Sequence, residues 1–153
     1  MKQADVLMLH HLVPDQVTPG SLAPNLEFYE PRTAHGSSLS PAVHASLLAR
    51  VGRLGRALQL LRTAAMIDLE DLTGTTAGGV HLATMGGVWQ ALAFGVAGLR
   101  PCGDRLVIDP RLPEAWDGLE LRIRFRGARG RIRIRHDGVT VDGDPELQWE
   151  EAT

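Results

Sequence analysis

An α+β fold is predicted for this chain of 153 residues, with helices first and antiparallel strands second. Three observations carry the prediction. Apolar residues recur at helical spacing as far as about Val96. After Gly98 they alternate singly with charged residues, the period of a half-buried strand. Pro and Gly mark the points where one element should give way to the next. The boundary is expected near residues 98–104, which divides the chain into residues 1–100 and 101–153.

Residues 3–13 (QADVLMLHHLV) predict a helix that is apolar on most sides. Such a helix is normally buried inside something larger, so a covering beyond this segment is expected. Residues 14–36 hold Pro14, Pro19, Gly20, Pro24, Pro31 and Gly36, which predicts an irregular loop. Leu26, Phe28 and Tyr29 would anchor it, as suits an ordered functional loop. Ser40 is placed to cap a helix and Pro41 to fill its first position. Val43, Leu47 and Val51 then form one apolar stripe, and Gly52 can end the helix. A second helix follows at once, with Leu54, Leu58 and Leu61 on one face and Arg53, Arg56 and Arg62 elsewhere. So short a link predicts an antiparallel hairpin.

Residues 73–80 (TGTTAGGV) form a Gly/Thr-rich loop. A third helix is expected from Leu82 to Val96, with Met85, Trp89, Leu92 and Val96 facing inward. Gly86 and Gly87 lie within it, each costing roughly 1 kcal/mol relative to Ala. A close approach of backbone to another helix or a ligand would justify them. Arg105–Ile108 predicts a strand. Leu121, Ile123 and Phe125 alternate with Arg122, Arg124 and Arg126, and Ile132 and Ile134 alternate with Arg131, Arg133 and Arg135. Asp137-Gly138 fits a two-residue turn into Val139–Val141. From Gly143 the chain is acidic and is expected to fray, with Trp149 as the one candidate for docking. There is no internal repeat.

Net charge is −2, so nothing global draws the chain to nucleic acid or an anionic membrane. The single cysteine, Cys102, excludes an internal disulfide framework and fits a reducing compartment. Met1–Asp5 does not read as a signal peptide, and the apolar runs are too short to span a bilayer. A cytoplasmic protein without membrane contact is expected.

Three stretches carry chemistry. His35-Gly36-Ser37-Ser38-Leu39-Ser40-Pro41 puts two adjacent hydroxyls before a helix start, where free N–H groups and the helix dipole attract an anion. A plainer reading, which local pattern favours, is that Ser38 and Ser40 only cap the helix. Gly78-Gly79-Val80-His81 sets a histidine at a loop-to-helix junction. There it could donate to an oxyanion or act as a base, although pattern alone favours a structural histidine. Lys2-Gln3 offers donors for sugar hydroxyls or an anion. A Ser–His–acid triad is discounted, because there is no G-x-S-x-G elbow after a strand. The histidines show no metal spacing, and no metal or cofactor is expected.

Together these stretches are specific. KQADV at 2–6, YEPRTAHGSSLSPAVHA at 29–45, GGVHLATMGGVWQALAFGVAGL at 78–99 and DPRLPEAW at 109–116 resemble glycoside hydrolase family 65. That family holds maltose, trehalose and kojibiose phosphorylases and some hydrolases. The resemblance covers nearly the whole chain. It implies the last helices of an incomplete (α/α)6 catalytic barrel in residues 1–100 and the small antiparallel β-domain in 101–153.

The resemblance also implies roles. Lys2 and Gln3 match residues that bind the glucosyl unit. Ser37, Ser38 and His81 match the phosphate-binding residues. An inverting hydrolase needs one carboxylic acid for the leaving oxygen and a second carboxylate to activate water. A phosphorylase uses phosphate as the nucleophile and needs an anion cradle instead. The two loops contain no Asp or Glu, and Glu30 is the nearest acid, which leans towards phosphorolysis. Gly36 and Gly78 stand where phosphorylases often carry acids, so hydrolysis stays open. The family's general-acid glutamate lies upstream of KQADV. The expectation is therefore a fragment that binds an α-linked disaccharide and inorganic phosphate but does not turn over alone.

Two other readings remain. Arg122, Arg124, Arg126, Arg129, Arg131, Arg133 and Arg135 crowd one hairpin, and a one-sided basic sheet could track a phosphate backbone. It lacks the interleaved aromatics of single-strand binders, so a solvated face, partly neutralised by Glu114, Asp117 and Glu120, is preferred. A split enzyme would draw the rest of the barrel from a separate polypeptide docked on residues 3–13. Self-association stays open.

Overall fold

The structure is a computed structural model that describes residues 1–2 and 4–152. It comprises two compact units, Met1–Leu92 and Ala93–Thr153. This division falls before the expected boundary after residue 100, because Ala93 and Ala97 are buried in the core of the strands.

The first unit contains α1 (Asp5–Leu12), α2 (Leu22–Tyr29), α3 (Ser40–Arg50), α4 (Leu54–Met66) and α5 (Leu82–Gln90). Every residue of α3 from Ser40 to Ala49 is buried, not just the expected stripe. The reason is its central place: α1, α2, α4 and α5 all pack against it. The α3–α4 hairpin turns at Gly52, whose φ of +77° suits glycine. There the Gly52 N–H donates to Ala49 O and the Arg53 N–H to Leu48 O, both at 2.9 Å. The buried face of α4 is Ala57, Leu60, Leu61 and Ala64, shifted from the Leu54/Leu58/Leu61 stripe.

Three expectations in this unit are corrected. Residues 14–36 are not an irregular loop, since α2 occupies Leu22–Tyr29 between short 3-10 turns at Pro14–Gln16 and Glu30–Arg32. Pro14, Pro24 and Pro31 sit in first turns, where the missing N–H has no helical partner to lose. Ser40 does not cap α3. It is the first helical residue, and its hydroxyl donates back to Ser37 O. The inward face of α5 is not Met85 and Trp89, which are 37% and 45% exposed. Instead Thr84 is buried and Gly87 abuts Ala42 of α3, with Ala91 buried just beyond the helix. The helical path continues through Ala91–Val96, but as wider π-type turns.

The second unit holds two three-stranded sheets. One is β1 (Leu99–Cys102), β2 (Arg105–Ile108) and β6 (Trp149–Glu151), in the order β1-β2-β6. The other is β3 (Leu119–Phe125), β4 (Ala128–Arg135) and β5 (Gly138–Gly143), in sequence order. Leu99, Leu106 and Ile108 share a core with Leu121, Ile132 and Ile134. The β3–β4 turn is Arg126-Gly127 with φ of +50° and +96°, the doubly positive turn that matches strand twist. The β4–β5 turn is His136-Asp137, one residue earlier than expected, because Arg135 pairs with Gly138.

The tail does not fray. Trp149–Glu151 pairs in parallel with Leu106–Ile108, and Leu147 is buried against Gly130. The strand arginines do share a face. Arg122 lies opposite Arg131 and Arg124 opposite Arg129, while Glu120 pairs with Arg131 and Arg133 at 3.5 and 3.0 Å. Among the described residues no helix is long and apolar enough to cross a membrane.

Candidate functional site

The first unit brings the expected phosphate residues onto neighbouring elements. Ser37 and Ser38 precede α3. The Ser37 carbonyl accepts the Ser40 N–H at 3.2 Å and the Ser40 hydroxyl at 3.1 Å. Because that hydroxyl donates to Ser37, it accepts from His35 Nδ1, 3.0 Å away. His35 has a positive φ of 48°.

The hydroxyl loop is joined to the His81 loop by Thr84. This residue is fully buried in the first turn of α5, and its Oγ1 donates to Ser38 O at 3.2 Å. Its N–H donates to His81 O at 2.9 Å. The approach of α5 to α3 is tight, since a Cβ on Gly87 would lie 2.9 Å from that of Ala42. Gly86 faces open space, so the expected reason for the glycine pair holds for Gly87 alone.

His81 is held by a residue that sequence reading missed. Asp68, in the turn after α4, accepts the His81 N–H on Oδ2 at 2.8 Å and meets Nδ1 with Oδ1 at 2.6 Å. Thr76 Oγ1 adds a donor to Oδ1 at 3.4 Å. The hydrogen bond from the His81 ring, foremost, holds the Asp68 carboxyl below the usual carboxylate range. An ionised carboxylate only accepts, so Nδ1 carries the proton. No local motif marks Asp68, because thirteen residues separate it from His81.

Lys2 lies across the same loop. The Ala34 N–H donates to Met1 O at 2.8 Å, which runs the chain start beside residues 32–36. A Cβ on Gly36 would meet Lys2 Cγ at 3.2 Å. The expected substrate residue Gln3 lies outside the described residues. Glu30, the nearest acid by sequence, is engaged by Arg56 Nε at 2.7 Å. Among the described residues no group of three His, Cys, Asp or Glu could hold a metal ion.

Behind the hydroxyl loop, His35 and His44 stack edge to face with centroids 4.7 Å apart. Among the described residues neither nitrogen of His44 has a partner, nor does His35 Nε2. Burial, then the neighbouring His35, lowers His44 to a pKa of about 4, and burial lowers His35 as well. A cavity of about 10 Å³, room for one water, lies beside His44 among Ala4, Asp5, Met8, Ser40 and Val43.

Residues 1–90 match the central catalytic domain of glycosyl hydrolase family 65, and residues 99–147 match that family's C-terminal domain. The chain belongs to glycosyl hydrolase family 65. Within family 65 it is 38% identical over 141 residues to kojibiose phosphorylase of Halothermothrix orenii, covering 92% of this chain and 18% of that protein. It is 41% identical over 148 residues to maltose phosphorylase of Bacillus subtilis, covering 95% and 20%. A solved structure, a putative kojibiose phosphorylase from the human microbiome, superposes with a TM-score of 0.88 at 28% identity, over 98% of this chain and 20% of that one. The chain thus spans about a fifth of the length of these family 65 relatives.

Proposed function

We propose that residues 1–153 carry the phosphate side of a disaccharide phosphorylase site. The reaction takes an α-linked glucoside and inorganic phosphate to glucose 1-phosphate and the released sugar, with inversion. Phosphate is the co-substrate and no cofactor is used. Ser37, Ser38 and His81 bind the phosphate, and Lys2 and Gln3 bind the glucosyl unit. The observation that carries this reading is the Thr84 bridge from the His81 turn to Ser38. It makes a hydroxyl pair, a helix start and a histidine into neighbours, the donor set an anion needs.

The general acid is assigned to a part of the barrel outside residues 1–153. The exposed Leu9, Leu12, Leu82 and Met85 support a covering by that barrel, in the same or a separate polypeptide. A cytoplasmic location is proposed from the single free cysteine. Phosphate titration of the purified chain should shift the amide signals of Ser37, Ser38 and His81, without glucose 1-phosphate forming from maltose, trehalose or kojibiose. Unmoved signals would overturn the phosphate assignment. Turnover would place the proton donor within these residues.

A further inference from the structure

We infer that Asp68 is a positioning residue that fixes the tautomer of His81, leaving Nε2 to share one hydrogen with the bound phosphate. The inference rests on the phosphate reading above, but its main measurement does not need phosphate.

Asp68 grips His81 twice. One oxygen takes the backbone N–H at 2.8 Å and the other takes Nδ1 at 2.6 Å. Both partners are largely buried, with side chains 22% and 12% exposed. Two bonds from one carboxylate fix the ring as well as the loop, much as an outer-shell carboxylate orients a ligating histidine. Thr76 Oγ1 holds Asp68 Oδ1, and the Thr76 N–H is bound by Asp71 Oδ1 at 3.0 Å. Asp68 is thus the carboxylate on the ring, and Asp71 holds the Thr76 turn behind it.

With Nδ1–H committed to Asp68, Nε2 is the ring atom left for an anion. In the neutral ring it is a lone pair and repels a bare oxyanion. Monohydrogen phosphate solves this with its own O–H, which donates to Nε2. The hydrogen then lies between Nε2 and a phosphate oxygen, and nothing is taken from solvent. Sulfate has no such hydrogen near neutral pH. It must be met by the imidazolium, whose added proton comes from solvent. Once the ring is neutral, sulfate affinity should therefore fall about tenfold per pH unit, the slope for uptake of one proton. Phosphate affinity should fall less steeply.

The test uses the full chain, with long-range 1H–15N spectra of the imidazole and titrations of inorganic phosphate and of sulfate. The wild-type neutral ring should carry its proton on Nδ1. In Asp68→Ala the ring should turn to the Nε2–H form, and the sulfate slope should flatten because Nε2–H then donates without proton uptake. Asp68→Asn has one oxygen for the two His81 donors and turns its NH2 towards the other position, so it should favour the Nε2–H ring and flatten the slope as Asp68→Ala does. A merely structural Asp68 would not link tautomer to sulfate slope in this way. An Nε2–H ring in the wild type overturns the inference, even if Asp68→Ala does not fold. So does an unchanged tautomer in a folded Asp68→Ala. If phosphate moves no signal while the tautomers differ as stated, the phosphate reading fails and the hold of Asp68 on His81 stands.

Discussion

Gly87→Ala should destabilise the helical unit, whereas Gly86→Ala one residue earlier should stabilise it. Both glycines lie within α5, and neither has a positive φ that would forbid a side chain. Each substitution gains helix propensity of about 1 kcal/mol. At Gly86 the new methyl meets no atom of the described residues within 4 Å, so that gain stands. At Gly87 it would lie 2.9 Å from Ala42 Cβ, well inside the roughly 3.5–4.0 Å of a favourable carbon contact. Ala42 belongs to a helix buried on every side and has little room to yield. Overpacking of this kind costs about 1–3 kcal/mol, so the net effect runs from near zero to about 2 kcal/mol of destabilisation. Urea unfolding of the two variants should separate their unfolding free energies by about 1–3 kcal/mol at similar slope. Ala42→Gly added to Gly87→Ala removes the overlap and puts a glycine into α3, returning stability close to wild type. The function follows the packing. Pushing α5 off α3 stretches the 3.2 Å bond from Thr84 to Ser38, so Gly87→Ala should also weaken phosphate binding. Equal stabilisation by both alanines would refute the close approach.

Thr84→Val keeps the shape of a fully buried side chain but removes the donor to Ser38 O. It should cost about 1–2 kcal/mol and weaken phosphate binding more than it lowers the thermal midpoint, measured by titration and by calorimetry. His44 sets an acid limit. Its folded pKa, lowered by burial to about 4 from 6.5, means the unfolded chain takes up the proton first. The stability it permits is full above pH 6.5 and is lost as pH falls towards 4, on the order of 3 kcal/mol in all. His44→Leu should flatten unfolding free energy across that window, and an unchanged slope would contradict the assignment. Leu147→Ala should cost about 2–3 kcal/mol in the strand unit and speed amide exchange along β6, because Leu147 fills the space over Gly130.

The elements with local signals were legible from sequence. Pro41 and Gly52 bracket α3, and the alternation of β3 and β4 fixes their faces. What was hidden depends on contacts distant along the chain. Helix α2 hides behind Pro24, which a first turn tolerates. The tail carries no strand pattern, yet β2 offers it an open edge. The inward face of α5 is set by its approach to Ala42, so large apolar residues that read as core are turned outward.

Asp68 has the largest consequence for chemistry, because it brings a carboxylate to a site whose loops contain none. An inverting hydrolase needs a carboxylate whose oxygen faces a water on the far side of the sugar ring. Asp68 gives Oδ2 to the His81 N–H and Oδ1 to the His81 ring and Thr76. Glu30 gives Oε1 to Arg56 Nε. Each acid holds a cationic or N–H donor of the protein, and Asp68 does so with both oxygens. The lean towards phosphorolysis therefore no longer depends on the loops lacking an acid. It rests on how the acids near them are bound, and phosphate stays the proposed nucleophile.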